Sequence, residues 1–146
     1  MNDFPSTCIM PRILSIDYGG KRTGLAVTDP LQIIATGLTA VDTKDLMDYL
    51  KSYFTKEVVE KVIIGLPTHA DGNDTHATPL VKAFVIRFKK EFPAIPIQTV
   101  DEQLTSKLAV RALIDSGVSK KDRRNKKLVD EMSATIILQE YLGIYH

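Results

Sequence analysis

The sequence predicts an α/β domain in which an antiparallel meander of three strands precedes two further strands, each reached through a helix. Three stretches carry that expectation. Ile13 to Asp29 (ILSIDYGGKRTGLAVTD) is an apolar run, a Gly-Gly break and a second apolar run, the pattern of strand, tight turn and strand. Leu31 to Val41 (LQIIATGLTAV), rich in apolar residues and Thr, pairs as a third strand. Lys44 to Phe54 then repeats Leu46, Met47, Leu50 and Phe54 at helical spacing before the apolar run Val58 to Ile64. A strand that follows a helix implies a parallel crossover, with its end beside the end of the first strand.

In chain order, residues 1–11 read as a flexible extension ending at Pro11, and 12–146 as one domain. The first strand starts near Arg12 and ends at Asp17, ahead of Gly19 and Gly20, which let the backbone turn sharply and approach a ligand closely. Asp17 either caps that turn or turns its carboxylate out of the sheet, where metal and phosphate can meet. The spacing DxGxxxxG is common to unrelated phosphate-handling folds and does not choose among them. Lys21 and Arg22 read as phosphate contacts or as ordinary hairpin cations. Asp42-Thr43 offers an N-cap to the first helix.

The segment GLPTHADGNDTHATP forms a polar loop at a strand end, where open α/β sheets place their ligand crevice. His69 and His76 have no third metal ligand near them and read as solvated loop residues rather than a transition-metal site. A helix follows to about Phe92, with Thr78 as N-cap and Pro79 in its first turn. Ile95 to Val100 is a fifth strand that runs into Asp101-Glu102-Gln103, an acid pair at another strand end. The helix Thr105 to Ser116 closes at Gly117, and Thr105 and Ser106 serve its N-cap. The run SKKDRRNKK carries Lys120, Lys121, Arg123 and Arg124, which read equally as a solvated linker and as phosphate contacts.

The final helix, Leu128 to Leu142, sets Asp130, Ala134, Ile137, Leu138 and Tyr141 on one face. A carboxylate on a core face is costly unless a cation or a metal meets it. The alternative for Asp130 is an acid favoured by the positive end of the helix dipole. Glu131, one residue off that face, is expected to be exposed.

Nineteen basic residues against eighteen acidic ones leave a formal net charge of +1, so overall charge points to no particular partner. The single cysteine, Cys8, excludes an internal disulfide and a thiolate zinc cluster. The first residues do not resemble a signal peptide, and no run of about eighteen apolar residues occurs to span a membrane. A soluble, cytoplasmic protein with no membrane partner is expected.

Three acids thus converge: Asp17 on the first strand, Glu102 or Asp101 after the fifth, and Asp130 facing inward from the last helix. Three carboxylates around one point are hard oxygen ligands for Mg²⁺ or Mn²⁺. Two such ions about 4 Å apart activate water and stabilise the leaving oxygen in phosphodiester cleavage. IDYGGKRTGLAVTD, VIIGLPTHADG, VDEQLTS and KKLVDEMSATIILQEYL, in that order between about Arg12 and Leu142, resemble the YqgF family of Holliday junction resolvases, also assigned to maturation of the pre-16S ribosomal RNA 5′ end. The resemblance implies an RNase H-like fold, a mixed five-stranded sheet with helices on both faces, and a divalent-metal nuclease site. It carries the family's acids onto Asp17, Glu102 and Asp130. Where the family has Asp-Glu-Arg, this chain has Asp101-Glu102-Gln103, a loss that bears on a phosphate contact or a salt bridge rather than on the proposed ligands.

Three function classes compete. The first is a metal-dependent endonuclease for precursor ribosomal RNA or branched DNA, with ribosomal particles as a further partner and a monomer or weak homodimer as its state. The second is an ATP-binding module of the actin, chaperone and sugar-kinase type, against which the length counts because such proteins clasp nucleotide between two domains of this kind. The third is a noncatalytic nucleic-acid-binding factor of ribosome assembly. Metal dependence separates the first from the third.

Overall fold

A computed structural model describes residues 11–67, 77–102, 111–123 and 125–145. The extension 1–10, Cys8, His69, His76, Gln103, Thr105, Ser106 and Arg124 lie outside the described residues. The strands are β1 (Arg12–Asp17), β2 (Arg22–Thr28), β3 (Ala35–Asp42), β4 (Val59–Pro67) and β5 (Ile97–Glu102). They form one sheet in the order β3-β2-β1-β4-β5. β3, β2 and β1 pair antiparallel, while β1, β4 and β5 run parallel. The expected meander and crossovers are therefore present.

Helices cover both faces. α1 (Leu46–Lys56) and α2 (Thr78–Glu91) lie on one side, where Leu46, Leu50, Val81, Phe84 and Phe88 bury against Leu14, Ile16, Leu25, Val62 and Ile64 of the sheet. α3 (Lys120–Arg123) is a single turn, and α4 (Lys126–Tyr145) covers the other side. There Ala134, Ile137, Leu138 and Tyr141 pack on Ile13, Ala26 and Ile63. Strand alternation is what divides the two cores: even positions of β1 face α1 and α2, odd positions face α4. The helical phase that sets Asp130 in line with Ala134, Ile137, Leu138 and Tyr141 is thus the packing phase of α4.

Several local expectations are corrected. β3 begins at Ala35 rather than Leu31, because the Asp29 carboxylate accepts N–H bonds from Leu31, Ile33 and Ile34 and folds 31–34 into a loop, with Gln32 at φ 58°. Asp42 gives no side-chain cap; a 3₁₀ turn, Thr43–Asp45, leads into α1 instead. Thr78 is the buried first residue of α2, preceded by Ala77, which makes no side-chain cap. The end expected at Gly117 is found after the helical residues 111–115. Gly117 has φ +80°, its N–H bonds to the Ile114 carbonyl and that of Val118 to Leu113, the paired bonds of a Schellman C-cap.

Candidate functional site

Asp17 is the last residue of β1 and Arg22 the first of β2, so Tyr18 to Lys21 make the connection. Neither Gly19 nor Gly20 has a positive φ, so the turn does not need the freedom expected of them. Gly19 is required for close approach instead, since a Cβ there would run into the Arg22 carbonyl, whereas a Cβ on Gly20 would meet nothing within 4 Å. The connection is held from two sides. Thr43 Oγ1 donates to the Gly19 carbonyl and the Thr43 N–H donates to the Lys21 carbonyl, while the Tyr18 ring lies 4.8 Å from that of Phe84.

In the β1–β2 ladder Asp17 stands opposite Gly24, and directly opposed residues project to the same face of a sheet. On Gly24 a Cβ would collide with the backbone carbonyl of Asp130. The backbone of α4 therefore rests on β2 at the residue that pairs with Asp17, and Asp17 and Asp130 lie on the same face of the sheet. Only glycine permits this approach. Asp130 is the fifth residue of α4, beyond the first turn to which the helix dipole confines its effect, so the dipole reading of this acid does not hold. Its charge is met by Arg22: Nε donates to Asp130 Oδ2 at 2.9 Å, with side chains 28% and 25% exposed, so the pair is only partly solvated.

Glu131 is not the exposed neighbour the sequence suggested. It is half-buried over β3, where a Cβ on Gly37 would stand 2.8 Å from its Cγ.

At the far side, Pro67 pairs with Glu102 and Leu66 with Asp101. Asp101 is exposed and shares the parity of Ile97, which packs on the α1 and α2 side. Position 102 instead shares the parity of Val100, which packs on the α4 side. Of the two acids left open by the sequence, the backbone register thus sets position 102 on the sheet face that also holds position 17. Among the described side chains no three His, Cys, Asp or Glu residues form a group able to hold a metal; Glu102 is described in its backbone alone.

Of the predicted phosphate contacts, Lys21 is exposed and Arg22 is committed to the ion pair, a role that neither sequence reading included. Lys120 and Lys121 are exposed on α3, and Arg123 ends that turn. Lys44 was missed. It joins Gly20, Lys21, Arg22 and Asp42 around a recess of about 480 Å³, because the pairing of Arg22 with Asp42 folds the end of β3 back beside the hairpin. The only sequence signal for it is a lysine just after the end of the third strand.

The family model described as "RuvX: Holliday junction resolvase" matches residues 11–143. A protein of Flavobacterium psychrophilum named "Putative pre-16S rRNA nuclease" is 55% identical over 133 residues, covering 91% of this chain and 97% of that one. A protein of Bacteroides thetaiotaomicron with the same name is 52% identical over 133 residues, covering 91% and 96%. Among solved structures, Fowlpox virus resolvase in complex with its substrate Holliday junction DNA superposes with a TM-score of 0.55 at 13% identity, over 91% of this chain and 97% of that one. At that identity the likeness concerns the fold alone, the RNase H-like sheet and helices of a resolvase.

Proposed function

The chain belongs to the RuvX family of Holliday junction resolvases, and from that premise we propose that it is a metal-dependent endonuclease acting in maturation of the pre-16S ribosomal RNA 5′ end. The observation that carries the reading is the contact of α4 with Gly24, which brings Asp130 to the face and strand end that hold Asp17. Asp17, Asp130 and, by strand parity, Glu102 are the residues that would hold a divalent ion, Mg²⁺ or Mn²⁺. The oxygen-only donor set suits these hard cations. When bound, such an ion supplies Lewis-acid polarisation of the phosphoryl oxygen and a more acidic water.

The chain's own residues do the rest. Asp17 sits at a strand end and Asp130 on a helix set by backbone packing, so the backbone that carries both acids is in place before substrate arrives. Lys21 and Lys44 present positive charge around the recess beside them, where they neutralise the backbone phosphates flanking the reacting one. The exposed cations of α3 extend that field and form an outer contact with the nucleic acid. Among the described residues no helix is long and apolar enough to cross a membrane. The proposed work is on cytoplasmic pre-ribosomal RNA, alone or on a ribosomal particle, as a monomer or weak homodimer.

The family's description favours a second reading, resolution of branched DNA. One experiment separates the two: cleavage of a labelled pre-16S 5′-leader RNA and of a four-way DNA junction, each with Mg²⁺, Mn²⁺ or EDTA. Metal-dependent cutting of the leader alone is expected. Cutting of the junction alone would transfer the role to DNA, and cutting of neither would leave a binding factor without nuclease activity.

A further inference from the structure

Arg22 faces two ways. It lines the basic recess with Lys21 and Lys44, and it also donates from Nε to Asp130, one of the acids assigned above to the metal. We propose that Arg22 competes with the divalent metal for Asp130: it is the cation that holds this carboxylate until the metal takes its place. The inference rests on the nuclease reading.

Three features make the exchange workable. First, the hydrogen bond runs from Nε to one carboxylate oxygen, not the two parallel bonds of a fork on a carboxylate, so it is the more easily broken form. Second, Asp130 does not depend on Arg22 for its position. The α4 backbone is set on Gly24 by packing, so the residue keeps its place over the strand end when the guanidinium leaves. Third, the guanidinium has somewhere to go, because the recess it already lines beside Lys21 and Lys44 is also lined by Asp42, an exposed acid that can receive it. An arginine beside the ligand set also repels an incoming cation, so the protein binds metal more weakly with Arg22 than without it. Such a residue keeps the carboxylate satisfied in a partly buried place, where an unpaired charge is costly.

The test is equilibrium Mn²⁺ binding, by calorimetry or by the paramagnetic resonance of free Mn²⁺, on the full chain without nucleic acid. Wild type is compared with Arg22→Gln, Arg22→Lys and Asp130→Asn. Arg22→Gln is expected to bind Mn²⁺ on the order of twofold to fivefold more tightly than wild type, the range that removal of one partly exposed ion pair allows. Arg22→Lys falls between the two, and Asp130→Asn binds more weakly than wild type. If Arg22→Gln does not fold, Arg22→Lys decides alone, since its shorter grip on the carboxylate still predicts tightening. Unchanged or weaker binding on substitution of Arg22, with Asp130→Asn still impaired, overturns the exchange and leaves the nuclease reading standing. Equal Mn²⁺ binding by wild type and Asp130→Asn overturns the nuclease reading's ligand set, and the exchange with it.

Discussion

At the scale of single residues, Gly24 decides how closely α4 approaches the sheet. It touches the Asp130 backbone and stands opposite Asp17, so a methyl group on it must push α4 off the sheet at the one point where both acids are set. Gly24→Ala is expected to destabilise the protein by about 1–3 kcal/mol, the usual cost of overpacking a tight contact, and to lower cleavage further than stability alone explains. Urea unfolding together with a cleavage assay at a temperature where both proteins are folded checks it. Gly20→Ala, with open space and no positive φ, is the control and should stay within about 0.5 kcal/mol of wild type. The places of Asp17 at a strand end and of Asp130 on the packed phase of α4 were legible in the sequence, because a strand end and a helix phase are local patterns. The partners were not. Arg22 and Asp130 are 108 residues apart, and nothing near either of them announces the pairing. The same holds for Glu131 over Gly37, where helix phase alone put the side chain in solvent.

Among the elements, the loop between β2 and β3 shows where an apolar pattern misleads. Leu31, Ile33 and Ile34 read as strand, yet they are 58%, 68% and 61% exposed because Asp29 has captured the backbone of that stretch. A side chain that bonds its neighbours' N–H groups competes with a ladder, and alternation cannot reveal it. The N–H of Ile34 is foremost in holding the Asp29 carboxyl below the usual carboxylate value, followed among the bonds by Ile33 and Leu31. A folded pKa below the unfolded one adds stability above the unfolded value and loses it as pH falls through the folded value. Asp29→Ala should therefore be less stable than wild type at neutral pH, with the gap narrowing on the acid side of the carboxylate range. Urea midpoints across that range report it, and a constant gap would remove the charge from the explanation. The β1–β2 hairpin, the crossovers and the Gly117 end were readable because Gly-Gly breaks, helical spacing and a terminal glycine act within a few residues. The caps expected at Asp42 and Thr78 failed because a 3₁₀ turn precedes α1 and burial takes Thr78.

Over the whole molecule, one sheet with two different faces explains how a chain of nearly balanced charge can still be a nucleic-acid enzyme. The face under α4 ends in Asp17, Gly24 and Asp130, cations line the recess beside it at Lys21, Arg22 and Lys44, and α3 carries the exposed Lys120 and Lys121. Changing Lys120, Lys121, Arg123 and Arg124 together to Gln should weaken binding of the leader RNA and flatten its salt dependence, by about 0.7 in slope for each single-strand phosphate that is no longer neutralised. An unchanged slope would return that run to solvent. The central claim is that acids distant in sequence form one catalytic unit. Its most direct test is the single-turnover cleavage rate of the preferred substrate for wild type, Asp17→Asn, Asp130→Asn and the double variant, each confirmed folded. Residues that work as a unit give non-additive losses, so each single change should lower the rate on the order of a hundredfold or more and the double change should go no lower than the worse single one. Wild-type rates in either single variant, or losses that multiply in the double variant, would contradict a shared site.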